Sequence, residues 1–94
     1  MVSRFEWDPA KALENVRKHG VRFDEAKTVF GDPLAEVVVD PFHAWDESRY
    51  WIIGESFIGR LLVVVYTERG DTIRLIGARR ATPRERHDHE EDPS

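Results

Sequence analysis

Eight arginines and no lysine lie between residues 49 and 86: Arg49, Arg60, Arg69, Arg74, Arg79, Arg80, Arg84 and Arg86. Four acids share that stretch, Glu55, Glu68, Asp71 and Glu85. The segment therefore carries a local excess of positive charge in a chain whose formal net charge is −4. A guanidinium is planar, permanently charged, and presents a donor fork that fits two phosphate oxygens at once. Like charges crowded together repel unless an anion joins them. A nucleic-acid backbone supplies such an anion. The balancing acid lies in the N-terminal half and in the tail Asp88, Glu90, Glu91 and Asp92. That tail either shields the arginines or is simply solvated.

Fixed arginines suit one reaction in particular, the cleavage of RNA without a metal. The 2′-hydroxyl loses a proton and attacks the neighbouring phosphorus. Charge then builds on the nonbridging oxygens, where guanidinium groups stabilise it. Positioning supplies much of the rate, but a proton carrier is still needed. His87 and His89 are candidates, with an ordinary pKa of about 6.5. Tyr66 and Glu68 share strand parity with Arg60 and are further candidates. Tyr66 reads equally well as a packing residue, and Glu68 as a turn-flanking surface acid.

Other chemistries find no support. There is no Gly-x-Ser-x-Gly and no glycine-rich phosphate loop. The histidines stand at 19, 43, 87 and 89, and cysteine is absent. His87 and His89 on one helix would point about 200° apart, so no standard zinc spacing arises. No cofactor or metal is expected. Without cysteine the fold relies on neither disulfides nor thiolate-held metal. No run approaches the ~18 apolar residues of a membrane span, and the N-terminus has no signal-peptide core, so a cytoplasmic location is expected.

These side chains need a scaffold. The length of 94 residues allows one domain, expected over 1–94. Asp8-Pro9 marks a helix start, and Lys18-His19-Gly20 its end. The helix is expected over about 9–18 with Ala12, Leu13 and Val16 inward. A second short helix should start with Asp24 as N-cap and Phe23 as a staple, present Ala26, Val29 and Phe30, and end at Gly31. Strand-like runs follow at Leu34–Val39, Arg49–Glu55, Arg60–Thr67 and Thr72–Arg79, with Phe5-Glu6-Trp7 as a possible edge segment. Residues 40–47 read as a loop. Thr82-Pro83-Arg84-Glu85 is a capping box, opening a helix over about 83–91 before a frayed Asp92-Pro93-Ser94. The expected class is α+β: two N-terminal helices, an antiparallel sheet of about four strands in a meander, and a short C-terminal helix.

Arg60 and Arg79 each lie about ten residues from a turn near Gly70, which has hairpin length. Antiparallel pairing would bring Arg60, Arg79, Arg80 and the helix start together at one end of the sheet. Arg84 and Arg86 would join that cluster. Each arginine alone reads as a solvated strand end, and the cluster carries the case for function. Trp7, Trp45, Trp51, Phe42 and Phe57 are available to stack on bases, although most aromatics in a small domain serve the core. Phe42 and Trp45, in an acidic loop, suit a protein contact better than RNA. An aromatic platform on the central strand is not expected, since Leu61–Val65 contains no aromatic residue.

The motifs in order resemble a known family. They are Phe5-Glu6-Trp7-Asp8, Asn15 through Ala26 with Lys18-His19-Gly20, Gly59 through Gly70, Ile73 through Thr82, and Glu85-Arg86. Over roughly residues 5–91 the chain is similar to the BrnT toxins of type II toxin–antitoxin pairs. The resemblance implies a RelE-like fold and a metal-free endoribonuclease that cleaves RNA to inhibit translation and growth during stress. It implies neutralisation by a BrnA-like DNA-binding antitoxin, as two toxins with two antitoxins, and contact with DNA only through that antitoxin. The RelE-like pattern points to Arg60, Arg79 and Arg80 as catalytic, with Arg74, Arg84 and Arg86 binding RNA. A C-terminal Tyr usual in BrnT-like chains is replaced by His89, which can transfer protons in its place. The alternative is a catalytically weak homologue that serves as antitoxin partner and co-repressor.

Overall fold

The structure, a computed structural model, describes residues 4–42 and 48–91. The chain runs β1 (Arg4–Glu6), α1 (Pro9–His19) and α2 (Phe23–Ala26), which tightens into a 3₁₀ helix (Lys27–Gly31). Then come β2 (Glu36–Val39), β3 (Arg49–Glu55), β4 (Leu61–Arg69), β5 (Thr72–Arg80) and α3 (Pro83–Glu91). The class is α+β, as expected. The sheet is larger and mixed: five strands in the order β1-β5-β4-β3-β2. Strands β2 to β5 form the antiparallel meander. β1 adds a parallel edge, with Phe5 paired to Ile73. A three-residue strand carries no signal of its partner, so only the remainder of the chain determines this pairing. His43, Trp45 and most of the loop expected over 40–47 lie outside the described residues, as do Asp92, Pro93 and Ser94.

α1 starts and stops as its ends dictate. Asp8 caps it by accepting from the Ala10 N–H at 2.8 Å, and Pro9 fills the first turn. Gly20 closes it in the left-handed region at φ 68°, where a side chain would be strained. Its inward face differs from the expected one. Leu13 is 61% exposed and Val16 is also exposed, while Asn15 is buried. The Asn15 amide donates to the Val21 and Ala78 carbonyls at 2.9 and 2.8 Å and accepts from the Ala78 N–H at 3.1 Å. A polar residue thus docks the helix onto the sheet backbone, and the packing face turns toward Ala12 and Asn15. α2 is capped differently too: Arg22 is the N-cap position and Asp24 lies inside the first turn.

One face of the sheet packs on these helices. Val21, Phe23, Ala26 and Val29 meet Ile52, Leu62, Val64, Tyr66, Ile73, Leu75 and Ala78 in a single core. Gly54 permits the closest approach there: a Cβ would meet Ala35 Cβ at 2.9 Å and Val29 Cγ1 at 3.0 Å.

The opposite face carries the alternate residues, since side chains along a strand point to alternating sides. It includes Glu36 and Val38, Arg49, Trp51 and Ile53, Val63, Val65 and Thr67, and Arg74 and Arg79. Among the described residues, α3 and the Phe42 ring beside Trp51 lie against it, and α3 has no buried residue.

The register departs from simple turn arithmetic. Leu62 pairs with Arg80 and Val63 with Arg79. Val65 faces Gly77 but Tyr66 faces Leu75, so Ile76 is an extra residue in β5. The result places Arg60 beyond the end of β5, beside a contact in which the Ala81 N–H donates to the Leu61 carbonyl at 2.9 Å.

Candidate functional site

Parity on two adjacent strand ends decides what each arginine meets. Arg79 lies on the open face. Its two terminal nitrogens donate to Glu85 Oε1 and Oε2 at 2.7 and 2.9 Å. Its guanidinium carbon stands 5.8 Å from the centre of the Trp51 ring, within cation–π range. Glu85 is also the second half of the expected capping box. It accepts from the Thr82 N–H at 2.9 Å, and the Glu85 N–H donates to Thr82 Oγ1 at 3.1 Å. The Arg79 guanidinium, together with the cap, holds the Glu85 carboxyl down at about 2. One carboxylate thereby clamps the first turn of α3 to the end of β5.

One turn further on, His89 of α3 reaches β2. Its Nδ1 is hydrogen-bonded to Glu36 Oε1, and its side chain is only 11% exposed. Val38, Trp51, Ile53 and Val63 floor a shallow cavity of about 230 Å³ that His89 and Glu36 border. With Nδ1 engaged, Nε2 is the ring nitrogen available for proton exchange. An imidazole oriented by a carboxylate beside a fixed guanidinium is the equipment for general acid–base catalysis on a phosphodiester. Among the described residues no group of three or more metal-ligating side chains converges.

Arg60 goes to the other side. Its Nε donates to Glu25 Oε2 at 2.9 Å, and a terminal nitrogen donates to Glu25 Oε1 and to the Gly20 carbonyl. Ser56 donates to the same carboxylate at 2.7 Å. Glu25 is 6% exposed. The hydrogen-bonded Arg60 holds its carboxyl below the usual range against the cost of burial. Arg80, on the same face, is exposed and contributes to the field at Glu25. The structure therefore places His89 on the cavity and Arg79 against two of its lining residues, Trp51 and Glu85, and it brings neither Arg60 nor Arg80 there.

The remaining candidates distribute as follows. Arg74 is on the open face and pairs with Glu6 at 2.7 Å. Arg84 is exposed, and Arg86 lies 3.6 Å from Glu90 along α3. His87 is exposed on α3 and Glu68 near the β4–β5 turn. Tyr66 is a core residue, packed on Phe30 and Tyr50 at centroid distances of 4.9 and 5.5 Å. Burial pushes its phenol up to about 12, which withholds it from proton transfer near neutrality. Trp7 stacks edge-on against Phe23 in the core. Phe57 is exposed. Phe42 is 70% exposed and its ring lies 6.3 Å from that of Trp51. Glu36 was not singled out by residue type; Trp51 was, as an aromatic available to stack on bases, and strand parity is the signal that connects it to Arg79.

A family model described as "Ribonuclease toxin, BrnT, of type II toxin-antitoxin system" matches residues 7–85. Among solved structures, the chain is similar to the 1.1 Å crystal structure of the Brucella abortus ribonuclease toxin BrnT. The TM-score is 0.66 and the sequence identity 23%, over 84% of this chain and 96% of that one. That likeness extends to the fold. No curated protein sequence matches.

Proposed function

This chain belongs to the BrnT ribonuclease toxin family of type II toxin–antitoxin systems, and on that premise we propose that it cleaves RNA, without a metal, on the open sheet face between Arg79 and His89. The observation that carries the proposal is that Trp51 and Glu85, the partners of the Arg79 guanidinium, line the same cavity as His89 and its carboxylate Glu36. Arg79 stabilises charge on the nonbridging oxygens as the 2′-hydroxyl attacks. As the 2′-oxygen bonds to phosphorus the P–O5′ bond breaks; His89 takes the 2′-hydroxyl proton through Nε2, the leaving 5′-oxygen is protonated by the imidazolium so formed, and Glu36 fixes the ring. Trp51 gives a base a surface to stack on. Arg74, Arg84 and Arg86 add positive potential for the RNA backbone. Arg60 acts as scaffold, and Arg80 adds to the field at the strand end. The inhibited process is translation, and neutralisation falls to a BrnA-like antitoxin in a complex of two toxins and two antitoxins.

The test is cleavage of single-stranded RNA by purified protein in EDTA, with growth after induction as a second readout. Wild type should cleave and leave 2′,3′-cyclic phosphate ends, whereas Arg79→Ala and His89→Ala should lose cleavage by about 10²-fold or more while keeping the fold. Two variants that cleave at the wild-type rate would overturn the site. A wild-type protein that cleaves nothing and leaves growth intact would favour the antitoxin partner and co-repressor instead.

A further inference from the structure

The open face carries a second group of polar side chains away from Arg79 and His89. Arg49 on β3 pairs in register with Thr67 on β4, and Thr67 with Arg74 on β5. The three form one row across the face. Thr67 is 3% exposed, yet its hydroxyl has no hydrogen-bond partner among the described residues, and neither does the buried Nε of Arg49. Polar atoms enclosed in this way cost stability unless something satisfies them. The indole N–H of Trp51, in the intervening row, is in the same condition. Arg74 has its counter-ion in Glu6. Arg49 makes no ion pair among the described residues.

Resting on the reading of this face as the cleavage surface, we propose that Arg49 and Thr67, flanked by Arg74, form a separate subsite for a phosphodiester of single-stranded RNA. Two same-face steps along β4, from Val63 to Thr67, separate it from Arg79, a distance of about 13 Å. The row between is floored by Trp51, Val65 and Gly77, the last without a side chain to block passage. Arg49 is an arginine on a flexible stem at the strand's end. Both polar atoms are enclosed until the Arg49 side chain swings outward on that stem; a phosphate seated there then receives the Nε–H and a terminal N–H as a fork, and the Thr67 hydroxyl donates a third hydrogen bond. The subsite holds the strand; it touches no reacting atom.

Binding to uncleavable RNA separates the two proposals. The probe is a fluorescent 2′-O-methyl octaribonucleotide, compared with a 2′-O-methyl dinucleotide that has a single phosphodiester. Arg49→Ala and Thr67→Val should each raise the octamer Kd about five- to tenfold and leave the dinucleotide Kd unchanged. Arg49→Ala should also lower the slope of log Kd against log salt by about 0.7, as expected for one lost phosphate contact on a single strand. Thr67→Val is nearly isosteric, should keep the slope, and should hold or raise the melting temperature, since it removes an unpartnered buried hydroxyl. Octamer affinities equal to wild type in both variants would overturn the subsite. So would equal losses on the octamer and the dinucleotide. Neither result bears on whether Arg79→Ala abolishes cleavage, so the cleavage site and the subsite can fail independently.

Discussion

The two faces of the sheet use the same chemical pair in opposite ways. On the helical face, Arg60 meets Glu25, and the pair is completed by Ser56 and the Gly20 carbonyl. The carboxylate is enclosed and its acceptors are taken. On the open face, Arg79 meets Glu85, but α3 above it buries no residue. Beside it stand an aromatic ring, an imidazole and polar atoms without partners. An arginine locked into a buried network has no orientation left to offer a substrate, whereas one resting on an indole at a cavity's rim does. The arginine-rich segment that reads as a single cluster in sequence is thus two sets, divided by strand parity, of which one fixes the fold and the other faces solvent.

The sharpest way to break this contrast is to delete one arginine from each face. Arg60→Ala leaves Glu25 as an uncompensated buried charge, a change that costs about 3–5 kcal/mol in a fully enclosed pair. The Arg60 side chain is 27% exposed, so about 2–4 kcal/mol is expected here. At about 4–8 °C per kcal/mol for a domain of this size, the melting temperature should fall by at least about 8 °C. The molecules that remain folded should still cleave. Arg79→Ala should do the reverse, since its ion pair is partly exposed and such pairs contribute about 1 kcal/mol or less. Equal destabilisation by the two variants, read by thermal melts, would show that the faces do not differ in this way.

Acid sharpens the same comparison with a smaller effect. Both carboxyls are depressed, Glu25 by its hydrogen-bonded Arg60 and Glu85 to about 2 by Arg79. A depressed carboxyl contributes stability that is present above its unfolded value, about 4.3, and is lost as pH falls through the folded value. The protein should therefore lose stability between about pH 4.5 and pH 2. Glu85→Gln should flatten that loss by no more than about 1 kcal/mol, because the pair is partly solvated. Urea melts of wild type and variant across this range test it, and parallel curves would contradict the assignment of Glu85.

Sequence made the local signals plain and the long-range ones only in part. Asp8-Pro9, Gly20 and the capping box Thr82–Glu85 fall where expected because each acts within a few residues of itself. Asn15 misleads a hydropathy pattern, since its value lies in three hydrogen bonds to backbone up to 63 residues away. The alternation at Phe5-Glu6-Trp7 marks an edge segment, but nothing local shows that β1 pairs in parallel with β5. The bulge at Ile76 is what defeats turn arithmetic. One added residue turns Arg79 to the open side and Arg80 to the helical side, while Arg60, past the end of β5, keeps the parity of Leu62, Val64 and Tyr66 on the helical side. Arg79 and His89 were recoverable from residue type. Their pairing with Trp51 and Glu36 was not, because it depends on which face of β3 and β2 looks outward.

The smallest expected effect tests whether α3 belongs to the open face as loosely as its composition implies. The helix is nearly all polar, and what fixes it is the cap at Thr82, the Arg79–Glu85 pair and the His89–Glu36 contact. Thr82→Ala removes the hydroxyl that accepts from the Glu85 N–H, at a cost of about 1 kcal/mol. In a helix woven into the core, that loss would appear in global stability. Here it should appear locally, as faster amide exchange over residues 84–91 with the exchange of β4 unchanged. Cleavage should weaken modestly, since His89 rides on the helix that frays. Uniform acceleration of exchange through β4 and β5 would mean that α3 is a structural part of the sheet and that the two faces are bound into one cooperative unit.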